Sequence, residues 1–279
     1  MALTAGTLWV VPTPLGNLKD FTFRALEILQ SVDYIAAETP SLSRKLLSHY
    51  QIKKPLLTFR EQNREKAAQQ ILALLREGKT VALICDAGTP GISDPGSFLI
   101  QQVIEEDLPL EVLPGPAALI PAWLFSGLLG HQMAFWGFPP RKSGERKVFL
   151  KIALDFQGAV IFYEAPHRLL DLLKDLEETA PQARTAVVRE ISKIHQESRR
   201  GNPRELLEHY SSHPPKGEIV VVAQGTKNSE AESSVDLPQA LRFFKQRGIS
   251  LRDGVDFLAQ FCRVNKKAAY NLGLEIKAE

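Results

Sequence analysis

Between Asp86 and Gly96 the chain reads Asp86-Ala87-Gly88-Thr89-Pro90-Gly91-Ile92-Ser93-Asp94-Pro95-Gly96, gathering glycines, prolines, two aspartates and two hydroxyls in one short stretch. Glycine lets main-chain groups approach a small molecule with no Cβ between them, and proline limits the order lost on binding. A tight turn from strand to helix needs only one of each, so the segment reads as a ligand loop. Gly91 and Gly96 have the first interval of a phosphate-binding P-loop, but Ser97 and Phe98 stand where that loop needs a lysine and a hydroxyl. The dinucleotide pattern G-x-G-x-x-G is absent, because Gly88 and Gly91 lack a partner two residues before them. Asp86 and Asp94 would repel phosphates, and they suit a ligand with hydroxyls or positive charge.

The elements that must hold this loop are legible in the apolar pattern. Val81-Ala82-Leu83-Ile84-Cys85 leads into it as a buried strand. Further strands are predicted at Leu8 to Val11, Tyr34 to Ala37, Leu56 to Phe59 and Leu110 to Leu113. Helices are predicted at Phe21 to Val32, Ser41 to His49, Arg64 to Glu77 and Ser97 to Glu106. Such alternation implies a parallel sheet covered on both faces. A second α/β unit has strands at Met133 to Phe138, Gly158 to Tyr163, Thr185 to Glu190 and Glu218 to Gln224, whose directions the pattern does not set. Its helices fall near Glu145 to Asp155, Pro166 to Thr179 and Pro203 to Ser212. The division expected is an α/β domain over residues 1–120, a second over 121–225, a polar linker over 226–238 and a small helical unit over 239–279.

Composition sets the outer bounds. The chain has 279 residues, enough for two cores, with ordinary hydrophobic (44%) and charged (24%) fractions. Net charge is only +2, so any affinity for nucleic acid must come from local patches. Cys85 and Cys262 lie in separate apolar segments, which suggests neither a disulfide framework nor a thiolate metal site and suits a cytoplasmic location. The longest apolar run, Ala117 to Leu129, is broken by Pro121 and too short to span a bilayer, so neither a leader nor membrane insertion is expected.

In an open α/β sheet, ligands sit beyond the carboxyl ends of the strands. The loop Pro12 to Asn17, the loop Asp86 to Gly96 and the turn Pro114 to Ala117 each follow a strand and should converge. Tyr163-Glu164-Ala165-Pro166-His167-Arg168 follows a strand of the second unit, which places the site in a cleft between the two. These segments, with Thr13 to Leu18, Pro114 to Leu119, Phe138-Pro139-Pro140-Arg141-Lys142, Phe162 to Arg168 and Pro215-Lys216-Gly217-Glu218, resemble in order the ribosomal RNA small subunit methyltransferase I branch of the tetrapyrrole methylase superfamily. The resemblance covers roughly residues 7 to 224, and the tail resembles the family's small C-terminal helical unit more weakly.

The resemblance implies two α/β domains of the tetrapyrrole methylase type, an interdomain cleft and S-adenosylmethionine as cofactor. It implies methylation of the 2′-hydroxyl of a cytidine in the decoding region of small-subunit (16S) ribosomal RNA, within RNA or the small ribosomal subunit, by a homodimer. Carried over by motif, Pro12, Asp86, Gly88, Thr89, Pro90, Gly91, Ile92, Gly115, Pro116, Ala117, Ala118, Tyr163 and Glu164 are cofactor-binding candidates, and Asp94 is a candidate brace of its loop. A sulfonium cofactor without phosphate agrees with aspartates in place of a P-loop lysine. One segment departs from the family: where the branch has Glu-Asp-Thr-Arg-His-Thr-Arg, this chain has Glu38-Thr39-Pro40-Ser41-Leu42-Ser43-Arg44.

A ribose hydroxyl is a weak acid and needs a base, or a cation to stabilise the developing alkoxide. Candidates in the cleft loops are Glu38, Arg44, Lys45, Glu61, Asn63, Glu164, His167, Arg168, Arg189 and Glu190. Glu164 and Arg168 form the preferred pair, Glu164 to accept a proton or orient the ribose and Arg168 to hold a phosphate. Independently of the family, Arg141, Lys142, Arg146, Lys147 and Lys151 stand against one acid, Glu145, and Arg199, Arg200 and Arg204 form a second cluster; both are read as RNA contacts. The tail from Gln239 onward carries eight basic against four acidic residues. His209 and His213 are spaced like helical metal ligands, but Pro214 and Pro215 end that segment without a carboxylate motif, so no metal is expected. The rival readings are a small-molecule tetrapyrrole methylase and an RNA-binding homologue that has lost catalysis.

Overall fold

Val81 to Ile84 is buried at every position, as a strand covered on both faces must be. It is the centre of the first of two five-stranded sheets in the computed structural model, which describes residues 6–130, 132–225, 236–262, 264 and 266–278. The first unit runs β1 (Leu8–Val10), α1 (Phe23–Ser31), β2 (Tyr34–Ala37), α2 (Pro40–His49), β3 (Leu56–Thr58), α3 (Arg64–Arg76), β4 (Val81–Ile84), α4 (Gly96–Glu105) and β5 (Leu110–Val112). The strand order is β3-β2-β4-β1-β5, and every pairing is parallel. Side chains alternate across the sheet: Val81 and Leu83 pack with α3 and α4, whereas Ala82 and Ile84 pack with α1 and α2.

The chain continues through α5 (Leu119–Ser126), β6 (Met133–Phe135), α6 (Ser143–Leu154), β7 (Ala159–Glu164), α7 (Leu169–Thr179), β8 (Thr185–Arg189), β9 (Glu197–Gly201), α8 (Pro203–Ser212) and β10 (Ile219–Gln224). This second sheet has the order β6-β7-β10-β8-β9; β6 runs parallel to β7 and the other pairings are antiparallel. One face, with Val160, Phe162, Val187 and Val221, packs against α6, α7 and α8. The other face, with Ile161, Val188, Val220 and Val222, is covered by α5 through Leu119, Ala122 and Trp123. Helix α5 spans position 120, and its packing joins it to the second sheet. Strand β9 has no counterpart in the apolar pattern, because an edge strand can carry Glu197, Arg199 and Arg200 toward solvent.

The tail forms α9 (Leu237–Gln246), α10 (Leu251–Phe261) and α11 (Lys266–Ala278) around Leu241, Val255, Leu258, Ala269 and Ile276. Asp236 and Ser250 cap the first two helices by accepting from the N–H groups of Gln239 and Asp253. Helix α9 therefore starts inside the expected linker, and residues 226–235 of that linker lie outside the described residues. Among the described residues no helix is long and apolar enough to cross a membrane.

Candidate active site

The loop after β1 and the loop after β4 are stitched together by backbone. Thr13 N donates to Gly88 O at 2.8 Å, Gly88 N donates to Thr13 O at 3.0 Å, and the buried Thr13 hydroxyl donates to Cys85 O at 3.2 Å. Gly88 has φ of +83°, a conformation that costs an L side chain strain, and a Cβ there would meet Leu15 Cδ2 at 3.3 Å. Asp94 braces the far end of its loop: its Oδ1 accepts from Gly91 N at 2.9 Å and Gly96 N at 2.7 Å. Thr89 Oγ1 donates to Pro116 O at 2.8 Å and so ties in the turn after β5. Gly115 lies over Pro12, where a Cβ would stand 2.6 Å from Pro12 Cβ.

These loops face the second sheet across a cleft of about 460 Å³, within the roughly 300–1,000 Å³ range of small-molecule sites. Leu15, Ile92, Ala117, Ala118, Ile219 and Val220 give it apolar walls. Glu38, Asp86, Asp94, Glu164 and Glu218 also line it, and among the described residues no lysine, arginine or histidine does. The divergent segment after β2 closes one corner, since Thr39 donates to Asp86 from both its backbone N (3.1 Å) and its hydroxyl (2.8 Å). Burial, reinforced by Asp86 and Asp94, pushes the Glu38 carboxyl up from its ordinary range. Burial also pushes the Tyr163 phenol up to about 12. The Tyr163 ring is held edge-on between Phe135 and Phe138, with centroids 4.7 and 5.8 Å away.

Glu164, the last residue of β7, has only 3% of its surface exposed. Its Oε1 accepts from Ala165 N at 2.8 Å and lies 3.2 Å from Arg168 Nε, whereas Oε2 has no partner. Burial raises its carboxyl, opposed by the Ala165 N–H and by Arg168. One oxygen is fixed and the other is enclosed by the protein without a partner, an arrangement able to take up a proton.

Residues 7–207 match the model of the tetrapyrrole (corrin/porphyrin) methylases. The ribosomal RNA small subunit methyltransferase I of Synechocystis is 38% identical over 277 residues, which is 98% of this chain and 99% of that protein. The protein of the same name from Thermotoga maritima is 43% identical over 220 residues, 79% of this chain and 99% of its own. The chain belongs to the ribosomal RNA small subunit methyltransferase I family. Solved structures give the fold alone. Diphthine synthase superposes with TM-score 0.63 at 12% identity, covering 78% of this chain and 90% of its own. Uroporphyrin-III C-methyl transferase from Thermus thermophilus, complexed with S-adenyl homocysteine, gives 0.58 at 16% identity, covering 78% and 97%.

Of the residues that the family resemblance marks, Asp86, Gly88, Thr89, Ile92, Ala117, Ala118, Tyr163 and Glu164 line the cleft. Pro12, Gly115 and Pro116 do not line it; they support the loops that do. Pro90 and Gly91 instead face a separate depression beside Ile100 and Ile104 of α4. The sequence reading assigned no role to Leu15, Phe138 or the run Gly217 to Val220, all of which line the cleft. Strand β10 is antiparallel to β7 and pairs Ile219 with Glu164, so its amino end, not its carboxyl end, reaches the site. The motif Pro215-Lys216-Gly217-Glu218 was the available signal.

Of the basic residues read as RNA contacts, Arg146 is withdrawn into the fold. Arg146 is buried: its Nε lies 2.6 Å from Asp175 Oδ2, and its Nη1 donates to Arg141 O at 2.9 Å. A guanidinium consumed inside the fold is not open to a phosphate. Lys147 pairs with Glu178 at 2.5 Å, and Arg200 donates to the carbonyls of Phe125 and Ser126 at the end of α5. Arg199 lies 3.6 Å from Glu197, and Lys142 lies 3.4 Å from Glu145. Arg168 also works inward, donating to Pro139 O at 2.5 Å, so it orients Glu164 and the Pro139 to Arg141 loop instead of standing free for a phosphate.

Proposed function

We propose that the protein methylates the 2′-hydroxyl of a cytidine in the decoding region of small-subunit ribosomal RNA, with Glu164 as general base. Membership of the family makes it an S-adenosylmethionine-dependent ribosomal RNA methyltransferase. The finer reading of nucleotide and atom rests on the motif resemblance, and the observation that carries the chemistry is the buried Glu164 with Oε2 unpartnered. Identity of 35–45% to ribosomal RNA methyltransferases, against 12–19% to tetrapyrrole-type and diphthine enzymes, favours RNA over a tetrapyrrole as acceptor.

The cleft fits the cofactor in kind. A ligand with a sulfonium and an ammonium is suited by Glu38, Asp86 and Asp94, which make no ion pair among the described residues, and bare backbone at Gly88 suits its close approach. Asp86, Gly88, Thr89, Ile92, Ala117, Ala118 and Tyr163 would hold it. Once bound, S-adenosylmethionine supplies an electrophilic methyl group on sulfur. The protein's share is to align the acceptor and exclude water, which the apolar walls do, and to take the hydroxyl proton at Glu164 Oε2. Arg168 and the Ala165 N–H engage Oε1, which leaves Oε2 as the oxygen without a partner. The same reading carries a homodimer and a cytoplasmic location, which sedimentation and cell fractionation test.

Mass spectrometry of small-subunit ribosomal RNA from cells with and without the protein is expected to show loss of one 2′-O-methylcytidine. Unchanged digests would end the reading. In single-turnover transfer E164Q is expected to slow the step by about 10²- to 10⁴-fold. An unchanged rate removes Glu164 as base.

A further inference from the structure

The cleft that takes the target nucleotide is acidic, so the phosphates on either side of that nucleotide cannot lie in it. Of the five carboxylates that line it, Glu38, Asp86 and Asp94 make no ion pair among the described residues, and a phosphate placed among them would be repelled. The backbone must therefore leave along another surface. A second depression of about 430 Å³ shares Leu15, Cys85, Asp86, Ala87 and Glu218 with the cleft, and adds Leu42, Lys45 and His49 of α2. A third shares Gly16, Leu18 and His49 with the second, and adds Lys19, Lys193, Ile194 and His195. Through these shared residues the depressions adjoin one another in a row that starts at the cleft, a groove lined in turn by both halves of the chain.

Both halves of the chain build this groove. A Cβ at Gly16 would collide with the Lys193 side chain, and the Ser192 hydroxyl donates to Asp20. Tyr50 Oη donates to Leu18 O at 2.6 Å and holds the loop against α2. Charges along it divide into two kinds. Lys193 is spent on Glu190 (2.9 Å) and Glu218 (3.2 Å), where it joins the hairpin to the head of β10. Lys19 and Lys45 are exposed and make no ion pair among the described residues, and His49 and His195 stand exposed beside them. In the strip around α6, Arg146, Lys147 and Lys142 have acidic partners, whereas Arg141 and Lys151 are exposed and make no ion pair among the described residues.

We infer that this groove, from Leu42 and Lys45 past His49 to Lys19 and His195, holds the sugar-phosphate backbone of the RNA strand flanking the methylated nucleotide, with Lys19 and Lys45 on phosphates. The inference rests on the RNA reading above. Unpaired lysines on a groove that opens into an acidic cleft sort a polyanion from its target: backbone outside, one nucleoside within. The divergent Thr39 to Ser43 segment opens α2, so the departure from the family lies at the start of the helix that carries Lys45.

The test uses the full-length protein with small ribosomal subunits from cells lacking it. KM for subunits, the salt dependence of subunit binding and the affinity for S-adenosylmethionine are measured for wild type, K19A/K45A, R141A/K142A and K66A/K174A. The last pair removes the same charge from exposed positions on α3 and α7. K19A/K45A is expected to raise KM roughly ten-fold and to flatten the slope of log affinity against log salt by about 1.4, two contacts at about 0.7 each on a single strand. Saturating kcat and cofactor affinity stay at wild-type values, and so does every quantity for K66A/K174A. Wild-type KM and slope in K19A/K45A overturn the proposal, as does a loss confined to R141A/K142A. A wild-type protein that transfers no methyl group to subunits refutes the RNA reading itself, and that arm tells the two failures apart.

Discussion

Two pairs of arginine and buried carboxylate lie in the second half of the molecule, Arg146 buried and Arg168 half-buried, and both arginines reach the same loop. Arg146 donates to the carbonyls of Pro140 and Arg141, and Arg168 to those of Pro139 and Pro140. Their acids differ. Asp175 is satisfied at both oxygens, by Ser143 Oγ at 2.8 Å and by Arg146 Nε at 2.6 Å. Glu164 is satisfied at one and left with a bare Oε2. A fully bonded pair holds α6 to α7, and a half-bonded pair leaves the oxygen to which the proposal gives the proton. Completeness of hydrogen bonding separates the two pairs.

The largest effect is expected at the complete pair. R146A leaves Asp175 buried and short of its main partner, a loss of about 3–5 kcal/mol in the unfolding free energy measured by urea denaturation. R146M/D175L, which removes both charges, is expected to recover much of that loss. If R146A unfolds like wild type while RNA binding collapses, Arg146 is an RNA contact after all and the contrast between the pairs fails.

A smaller and different effect is expected at the incomplete pair. R168M removes the positive charge that holds the Glu164 carboxyl down, so that carboxyl rises further from its ordinary range. The acidic limb of the methyl-transfer pH profile then moves to higher pH, while R168K restores it in part. A purely structural arginine would lower activity at every pH by one factor and leave the limb in place.

The same contrast explains what could be read from sequence. All five strands of the first sheet and the three loops at their carboxyl ends were legible, since parallel βα units repeat one rule. Gly217 to Val220 escaped, because an antiparallel strand brings its amino end to the site and nothing in an apolar run states direction. The partnership of Arg146 with Asp175 escaped for another reason. The residues are 29 apart, on neighbouring helices, and along the chain Arg146 looks like one more charge in a basic strip. Lys19 and Lys45 are isolated basic residues in sequence, and only folding brings them to one groove.

The smallest expected effect concerns stability at Glu164 and has a definite sign. Burial raises its carboxyl in the folded protein, so the folded state binds that proton more tightly than the unfolded chain does. Stability from this group is therefore fully present below the ordinary glutamate range and is lost as pH rises through the raised folded value. Glutamine cannot ionise and suffers no such loss. The melting temperature of E164Q relative to wild type should thus increase from acid toward neutral pH, while methyl transfer is lost. A difference that is flat across that range would mean that Glu164 titrates alike in both states. Its incomplete bonding would then cost the fold nothing, and the reading of Oε2 as a reactive atom kept at the expense of stability would fall.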